Sequence, residues 1–306
     1  MAQALATPKL RRLRLRTFAA LAGPRAALRL PGLAASESAA LRLRQTGPCI
    51  AAPEGVVFLI PLVGRHHIGD WAAVEARLGA TLSGLLAQSD PRWRAVICSQ
   101  DRPLLPTDPR IGFLPFTETV QGNDKWRKLD TLCRALPEAG LAAGYAMSFD
   151  ADDLPHRDLV QRMLARPVPG GFLVARGYVR NAQTGAVGRA GPPDLRQPLR
   201  KPFWKLCGSC AAPRFDLLHQ QAETLAFLRG MTAHEHRMFP YLARLAGRPL
   251  SPLAEPAVLY EVNHGENFGA RRGRVGFKTR FVERFRVTDP QELAAIETGF
   301  GGTADA

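Results

Sequence analysis

Three aspartates, Asp150, Asp152 and Asp153, occupy a stretch of four residues directly after an apolar segment of strand length. Carboxylates this close repel one another, and a bound cation removes that repulsion. Hard oxygen ligands suit Mg²⁺ or Mn²⁺, which typically bridge one or two carboxylates to substrate phosphates. The alternative is a solvated acidic turn in which Asp153 caps the helix that starts near Pro155. Because ligands bind beyond the carboxyl ends of strands in open α/β sheets, we favour the metal site.

Other residues that often bind metals are spaced less well for it. Cys207 and Cys210 form a single CxxC, which does not complete a zinc site without a second pair, so we predict buried free thiols within a strand. His234 and His236 are two positions apart and do not share a helix face. The five cysteines are odd in number and scattered, which fits a reduced, cytoplasmic setting.

The elements that position these residues follow the pattern of an α/β protein. Residues 56–60 are a continuous apolar run ended by Pro61, which is typical of a buried parallel strand. Similar patterns predict strands over 93–98, 111–114 and 145–149, and helices over 71–86, 124–136 and 158–165. This order predicts a mostly parallel sheet flanked by helices. Beyond Pro169 we predict an α+β half, with strands over 172–179, 186–189, 204–211 and 257–262 and helices over 216–228 and 234–246.

Positive charge is concentrated at the start of the chain. The formal charge is +14, and residues 1–50 hold nine Lys/Arg and one acid, Glu37. We predict three parts: a basic arm over 1–50, a globular domain over 51–270 and a basic, aromatic tail over 271–306. No apolar run reaches the ~20 residues of a membrane-spanning helix. Leu10, Phe18 and Leu21 recur near helical spacing, so the arm fits either an anionic membrane surface or a leader without a role.

From 56 to 264 the chain resembles inverting glycosyltransferases of the GT-A fold, family 2 type. The resemblance rests on the strand that ends at Pro61, on the phrase Thr81-Leu82-Ser83-Gly84-Leu85-Leu86-Ala87-Gln88, on the strand Trp93-Arg94-Ala95-Val96-Ile97, and on Asp150-Ala151-Asp152-Asp153 as a D-x-D-D motif. The stretch 81–115 is also similar to bacterial proteins described as rhamnosyltransferases. The resemblance implies a GT-A-like, Rossmann-like sheet with an acceptor-side α+β half.

The same resemblance implies roles on the donor side. Asp152 would contact the metal, with Asp153 beside it, and Asp150 would contact the metal or the ribose end of a nucleotide-sugar. Pro61, at the end of the first strand, is expected to border the donor, and Asp101, after the second strand, is the nearest candidate for reading the base or ribose. Lys125 and Lys128 lie where family members place basic residues that contact the donor. A solvated helix face remains the alternative for both lysines.

On the acceptor side the resemblance implies a general base at the start of a helix. Glu235 matches the first residue of the family's acidic pair, and His236 replaces the second, so either side chain is a candidate. His264, after the last predicted strand, would be a further metal ligand or a loop histidine. His66 and His67 follow the first strand and are interpreted as a surface loop.

These features predict a metal-dependent transfer of a sugar from a nucleotide-diphosphate-sugar to an acceptor hydroxyl, with inversion. Mn²⁺ or Mg²⁺ is the expected cofactor, a saccharide or glycolipid of surface synthesis the expected acceptor, and the cytoplasm or the inner face of the membrane the expected location. No nucleic-acid partner is expected. The alternatives are a non-enzymatic basic protein that binds membranes or nucleic acid, and a nucleotidyltransferase on a related fold.

Overall fold

The computed structural model describes residues 3–264 and 275–301. Its main sheet has seven strands in the order β10-β6-β9-β4-β1-β2-β3. The neighbours of β1, which are β2 and β4, run parallel to it, and β9 is the antiparallel member. The strands of this sheet are β1 (Gly55–Pro61), β2 (Trp93–Ser99), β3 (Ile111–Pro115), β4 (Ala143–Ser148), β6 (Gly171–Leu173), β9 (Ala211–Asp216) and β10 (Ser251–Pro252).

A second sheet of four strands has the order β5-β11-β7-β8. Its strands are β5 (Asp153–Pro155), β7 (Gly177–Asn181), β8 (Val187–Ala190) and β11 (Val258–Val262). The chain passes from β4 of the main sheet to β5 of the small sheet within five residues. The aspartate cluster therefore lies at the junction of the two sheets.

Ten α-helices of the described residues surround the sheets. They are α1 (Lys9–Leu21), α2 (Gly23–Ala27), α3 (Ala35–Gln45), α4 (Trp71–Leu86), α5 (Lys125–Arg134), α6 (Leu159–Ala165), α7 (Gln221–Thr232), α8 (Phe239–Leu245), α9 (Val275–Arg284) and α10 (Pro290–Phe300). α5 and α6 contact β1, α5 packs on α7, and α4 contacts β5.

The sequence of β1 explains its central place. Residues 56–60 are all apolar and at most 2% exposed. Such a strand is stable only where both faces are covered. The helix that follows, α4, begins where the Asp70 carboxylate accepts a hydrogen bond from the Ala73 amide at 3.0 Å. Val74, Leu78 and Leu82, spaced for one helix face, are buried.

The predicted α/β class with a mostly parallel sheet flanked by helices is confirmed. The prediction of a strand over 204–211 is wrong, because Phe203–Lys205 is a 3₁₀ turn and β9 begins only at Ala211. The thiols of Cys207 and Cys210 are buried and free, but in the loop before the strand. The predicted strand 172–179 is two strands, one in each sheet, and the helix predicted over 234–246 is shortened to α8 after a 3₁₀ turn, His236–Met238.

Residues 9–45 form three helices that pack against the rest of the chain. α3 contacts α7 and α8, and α1 contacts α8. The buried Glu37 carboxylate accepts hydrogen bonds from the Thr7 hydroxyl at 2.8 Å, the Tyr241 hydroxyl at 2.9 Å and the Ala34 amide at 3.0 Å. The single acid of the first fifty residues therefore connects this segment to α8.

Replacing this acid should destabilise the whole protein. Glu37→Ala leaves two hydroxyls and an amide without their acceptor, and we expect a loss of about 2–4 kcal/mol in the free energy of unfolding. Urea denaturation followed by circular dichroism measures it. Ser38→Ala on the same helix is the control and should change stability by less than about 0.5 kcal/mol. Equal stability of the two variants would show that residues 1–50 fold independently of α8.

Candidate functional site

The turn that carries the aspartates is held from two sides. From α4, the buried Thr81 hydroxyl donates to the carbonyl oxygens of Ala151 and Asp153, at 3.0 and 2.9 Å. From the loop before β9, the Ser209 hydroxyl accepts a hydrogen bond from the Asp150 amide at 2.8 Å. These contacts fix the backbone of the turn at the carboxyl end of β4, the edge at which α/β sheets bind ligands.

Asp153 differs from its two neighbours in being wholly buried. One of its carboxylate oxygens, Oδ2, accepts hydrogen bonds from the Ser209 hydroxyl at 2.5 Å and from the Cys207 thiol at 3.0 Å. Burial raises the pKa of Asp153 well above its ordinary value, and the carboxylates of Asp152 and Asp150 raise it further. Asp153 was predicted as a metal ligand, and the structure places it wholly buried, with Oδ2 already contacted by Ser209 and Cys207.

Asp150 and Asp152 are partly exposed, and each contacts a basic side chain. Lys125, at the start of α5, donates to Asp150 Oδ1 at 2.5 Å. His264 Nε2 lies 2.8 Å from Asp152 Oδ2. Burial raises the pKa of Asp152, but the hydrogen bond and charge of His264 and the Lys125 ammonium outweigh it, so the net direction is down. His264, predicted as either a further metal ligand or a loop histidine, thus contacts Asp152 directly.

One cavity of about 510 Å³ is lined both by residues predicted to bind the donor and by the two candidates for the general base. We call it the central cavity. It is lined by Asp150 and Lys125 from the sheet edge, by Glu235 and His236 from the loop after α7, and by Tyr260 and Lys278. Glu235 and His236 are therefore brought to the same space as the first aspartate, from which they are distant in sequence.

The loop that carries Glu235 and His236 is held by the N-terminal segment. The Ser36 hydroxyl of α3 lies 2.7 Å from His234 Nε2. The Ala4 amide donates to the Ala233 carbonyl at 2.8 Å. Ala4 and Ser36, which precede the first strand, thus hold the loop that carries Glu235 and His236.

His236 is neutral at physiological pH. Burial lowers its pKa to about 4, and the nearby Lys125 ammonium also lowers it. A hydrogen bond to the backbone of Lys205 acts to raise the pKa of His236. The other ring nitrogen, Nε2, is buried and has no hydrogen-bond partner among the described residues. The bond to Lys205 therefore uses Nδ1 as the donor, and Nε2 carries the lone pair.

Lys278 and Tyr260 belong to the site and were not predicted. The Lys278 ammonium donates to the Tyr260 hydroxyl and lies 4.3 Å from the centroid of its ring. Burial lowers the pKa of Lys278, while Cys207 and the three aspartates act to raise it. For Lys278 the sequence signal was the basic, aromatic character of the C-terminal tail, whereas Tyr260 lies in the strand predicted over 257–262. Ser209 also escaped notice, inside a CxxC that was considered only for metal binding.

Three predicted donor residues lie at the same sheet edge but do not line the central cavity. Pro61 ends β1 and pairs with Cys98. Asp101 accepts a hydrogen bond from the Arg65 amide at 2.8 Å. Lys128 is fully buried, where it donates to the Leu62 carbonyl at 2.6 Å and pairs with Asp124 at 2.8 Å. The contacts of Lys128 are those of a residue that stabilises the end of β1.

A second group at this edge has the composition of a metal site. Side-chain ligand atoms of His66, His67 and Asp124 all lie within 4.8 Å of one another, and within the described residues this is the one group of three that meets that spacing. The Lys128 ammonium already contacts Asp124, and Gln100 donates to the same carboxylate at 2.7 Å. A cation here would compete with that ammonium for Asp124.

A scan of the chain against protein-family models and a search among curated proteins each found no match. Within residues 3–264 and 275–301, no helix combines the length and the hydrophobicity that crossing a membrane requires. The function is therefore inferred from the residues of the site and their geometry.

Ser209 should be needed for the stability of the acidic turn. Ser209→Ala removes a donor from the buried Asp153 carboxyl and an acceptor from the Asp150 amide, and we expect a loss of about 1–3 kcal/mol. Guanidinium unfolding measures this loss. The control, Ser83→Ala, changes an exposed serine on α4. If both variants unfold with the wild-type midpoint, the Ser209 hydroxyl does not hold the turn.

Proposed function

We propose that this chain is a metal-dependent glycosyltransferase that moves a sugar, with inversion, from a nucleotide-diphosphate-sugar to an acceptor hydroxyl. The supporting observation is the central cavity itself. It combines a carboxylate and an ammonium at the carboxyl edge of a parallel sheet with a carboxylate and a neutral imidazole from a separate loop. Phosphate recognition and proton transfer both require such groups, and here they share one space.

The donor set fits a divalent cation at Asp152 and His264. Their ligand atoms are 2.8 Å apart, close to the ~3.0 Å that separates adjacent ligands at right angles with bonds of about 2.1 Å. Asp152 and His264 would hold the cation, and Mg²⁺ and Mn²⁺ usually bind through few side chains together with substrate phosphates. When bound, the cation would neutralise negative charge on the leaving diphosphate. Asp150, held by Lys125, lines the central cavity and would contact the donor there, whereas Asp152 and His264 are not among its lining residues.

Two lysines are suited to the phosphates of the donor. Lys125 and Lys278 both line the central cavity, one from α5 and the other from α9. Burial lowers the pKa of Lys125, but Asp150 and Asp152 outweigh it, and the net direction is up, so the side chain stays charged. Ammonium groups beside the leaving diphosphate stabilise the negative charge that develops there.

Glu235 is the group we assign as the general base. Its side chain is partly exposed and lines the cavity, so an acceptor hydroxyl can reach it. His236 is close by, but its Nε2 is buried and its pKa of about 4 makes it a weak base at neutral pH. We assign His236 the role of shaping the wall of the cavity beside Glu235, because its lone pair on Nε2 is buried away from the acceptor.

Metal binding and turnover should both depend on Asp152. We expect Mn²⁺ at about 100 times its Kd to stabilise the wild type by about 2.7 kcal/mol in thermal unfolding. Asp152→Asn should lose that stabilisation. It should also lower release of nucleotide diphosphate from a panel of nucleotide-sugars by roughly 10³-fold, because metal polarisation contributes several kcal/mol.

The matched control removes the other possible cation site. His66→Ala/His67→Ala should keep the stabilisation by Mn²⁺ and the donor hydrolysis. If instead this double variant loses both while Asp152→Asn keeps them, the cation belongs to His66, His67 and Asp124. Absence of hydrolysis with every nucleotide-sugar, by a wild type that binds Mn²⁺, would favour a nucleotidyltransferase or a non-enzymatic protein.

The base is identified by comparing two substitutions. Glu235→Gln should lower kcat by about 10²-fold or more with little change in donor affinity. His236→Ala should have the smaller effect. Since His236 stays neutral above its pKa of about 4, the loss in His236→Ala should be the same between about pH 5.5 and pH 8. A near-normal Glu235→Gln beside an inactive His236→Ala would transfer the role of base to His236.

A further inference from the structure

Helix α1 separates two grooves of opposite character. The first, the basic groove, has a volume of about 260 Å³. Five cationic side chains line it together with Trp204 and Tyr241, and none of the described residues that line it is acidic. The cations are Lys9, Arg12, Arg16, Arg237 and Arg244.

These cations are not used to neutralise the fold. Arg12 donates to the Thr7 carbonyl at 2.6 Å and lies over the Tyr241 ring, and Arg237 donates to the Lys205 carbonyl at 3.3 Å. Within the part of the chain that the structure describes, no carboxylate forms an ion pair with any of the five. Uncompensated charge of this density favours a multiply charged anion such as a phosphate monoester or diester.

The second groove, the apolar groove, is on the other side of α1 and has a volume of about 610 Å³. Its lining is mainly apolar, and part of it faces water: Leu13 is 51% exposed and Leu21 is 84% exposed. Arg11 and Arg14 also line this groove. An apolar surface of this kind bordered by arginines is typical of a site that contacts the interface of an anionic membrane.

The two grooves and the central cavity adjoin. Arg237 lines both the central cavity and the basic groove, and Leu13 lines both the basic groove and the apolar groove. We propose that this surface binds an anionic membrane lipid, with the phosphate headgroup in the basic groove and the hydrocarbon against the apolar groove. A nucleic acid would satisfy the arginines but leave Leu13 and Leu21 in water. Taken with the proposed function, on which this step rests, the surface directs the central cavity toward a lipid-borne acceptor.

Vesicle binding by the full-length protein tests the proposal without any donor. Sedimentation with vesicles of phosphatidylcholine and phosphatidylglycerol should show binding at low salt, and vesicles of phosphatidylcholine alone should bind much less. Arg16→Glu/Arg244→Glu should bind at least about tenfold more weakly. The control Arg166→Glu/Arg196→Glu has the same change of charge outside the grooves and should change binding by no more than about twofold. Arg16→Lys/Arg244→Lys, which preserves the charge, should bind like the wild type.

The apolar contribution is tested at high salt, where charge is screened. Leu13→Ser/Leu21→Ser should lower the remaining binding, with a melting temperature like that of the wild type. Equal losses in the groove and control arginine variants would overturn the site. Tighter binding of a duplex oligonucleotide than of vesicles through Arg16 and Arg244 would overturn the lipid as ligand. Asp152→Asn should still bind vesicles, so failure of donor hydrolysis alone contradicts the proposed function and leaves lipid binding intact.

Discussion

The hydrogen bond from Ser209 to the buried carboxyl of Asp153 is the interaction on which the arrangement of the site depends. Three carboxylates in four residues cannot all be charged in one place without a large electrostatic cost. Burial raises the pKa of Asp153, and the carboxylates of Asp152 and Asp150 raise it further, while the hydrogen bonds from Cys207 and Ser209 oppose that rise. Those two charges are then balanced by Lys125 and His264, which are also groups that can bind a donor or a cation. The same Ser209 hydroxyl accepts from the Asp150 amide, so one side chain holds both the backbone of the turn and its buried carboxyl.

The position of the turn connects this local balance to the rest of the molecule. The turn joins the main sheet to the small sheet, so β5 and its partner β11 depend on it, and β11 carries Tyr260 into the central cavity. On the other side of the cavity, the loop with Glu235 and His236 is held through His234 and Ala233 by the N-terminal helical segment. The turn, β11 and the loop after α7 therefore reach the cavity from separate places in the chain, and the turn and the loop are each held by side-chain hydrogen bonds.

Local signals in the sequence were sufficient for the first half of the fold. The helix predicted over 71–86 has those bounds in the structure, and β1 is the buried strand that its apolar run indicates. The prediction failed over 204–211, which is a 3₁₀ turn and a loop, where the Cys207 thiol is buried against Asp153 and does not belong to a strand. The contacts of the site are long-range: Ser209 meets Asp153 across 56 positions and Ser36 meets His234 across 198. No periodicity indicates such pairs, and for the same reason a helical pattern could not show that Lys128 is buried.

The cationic side chains fall into two groups, those that are buried and satisfied by hydrogen bonds or ion pairs and those that line a cavity or groove. Arg248 is buried and bonded to Gln220 and the Gly47 carbonyl, and Lys128 is buried and paired with Asp124. Removing either would leave buried acceptors unsatisfied, so these cations are explained by stability alone. Lys125 and Lys278 line a cavity, and the arginines of the basic groove border open space without a carboxylate partner in the described chain. The cations of the basic groove repel one another, and that repulsion opposes folding. We propose that anionic ligands offset it, a diphosphate in the central cavity and a lipid headgroup in the basic groove.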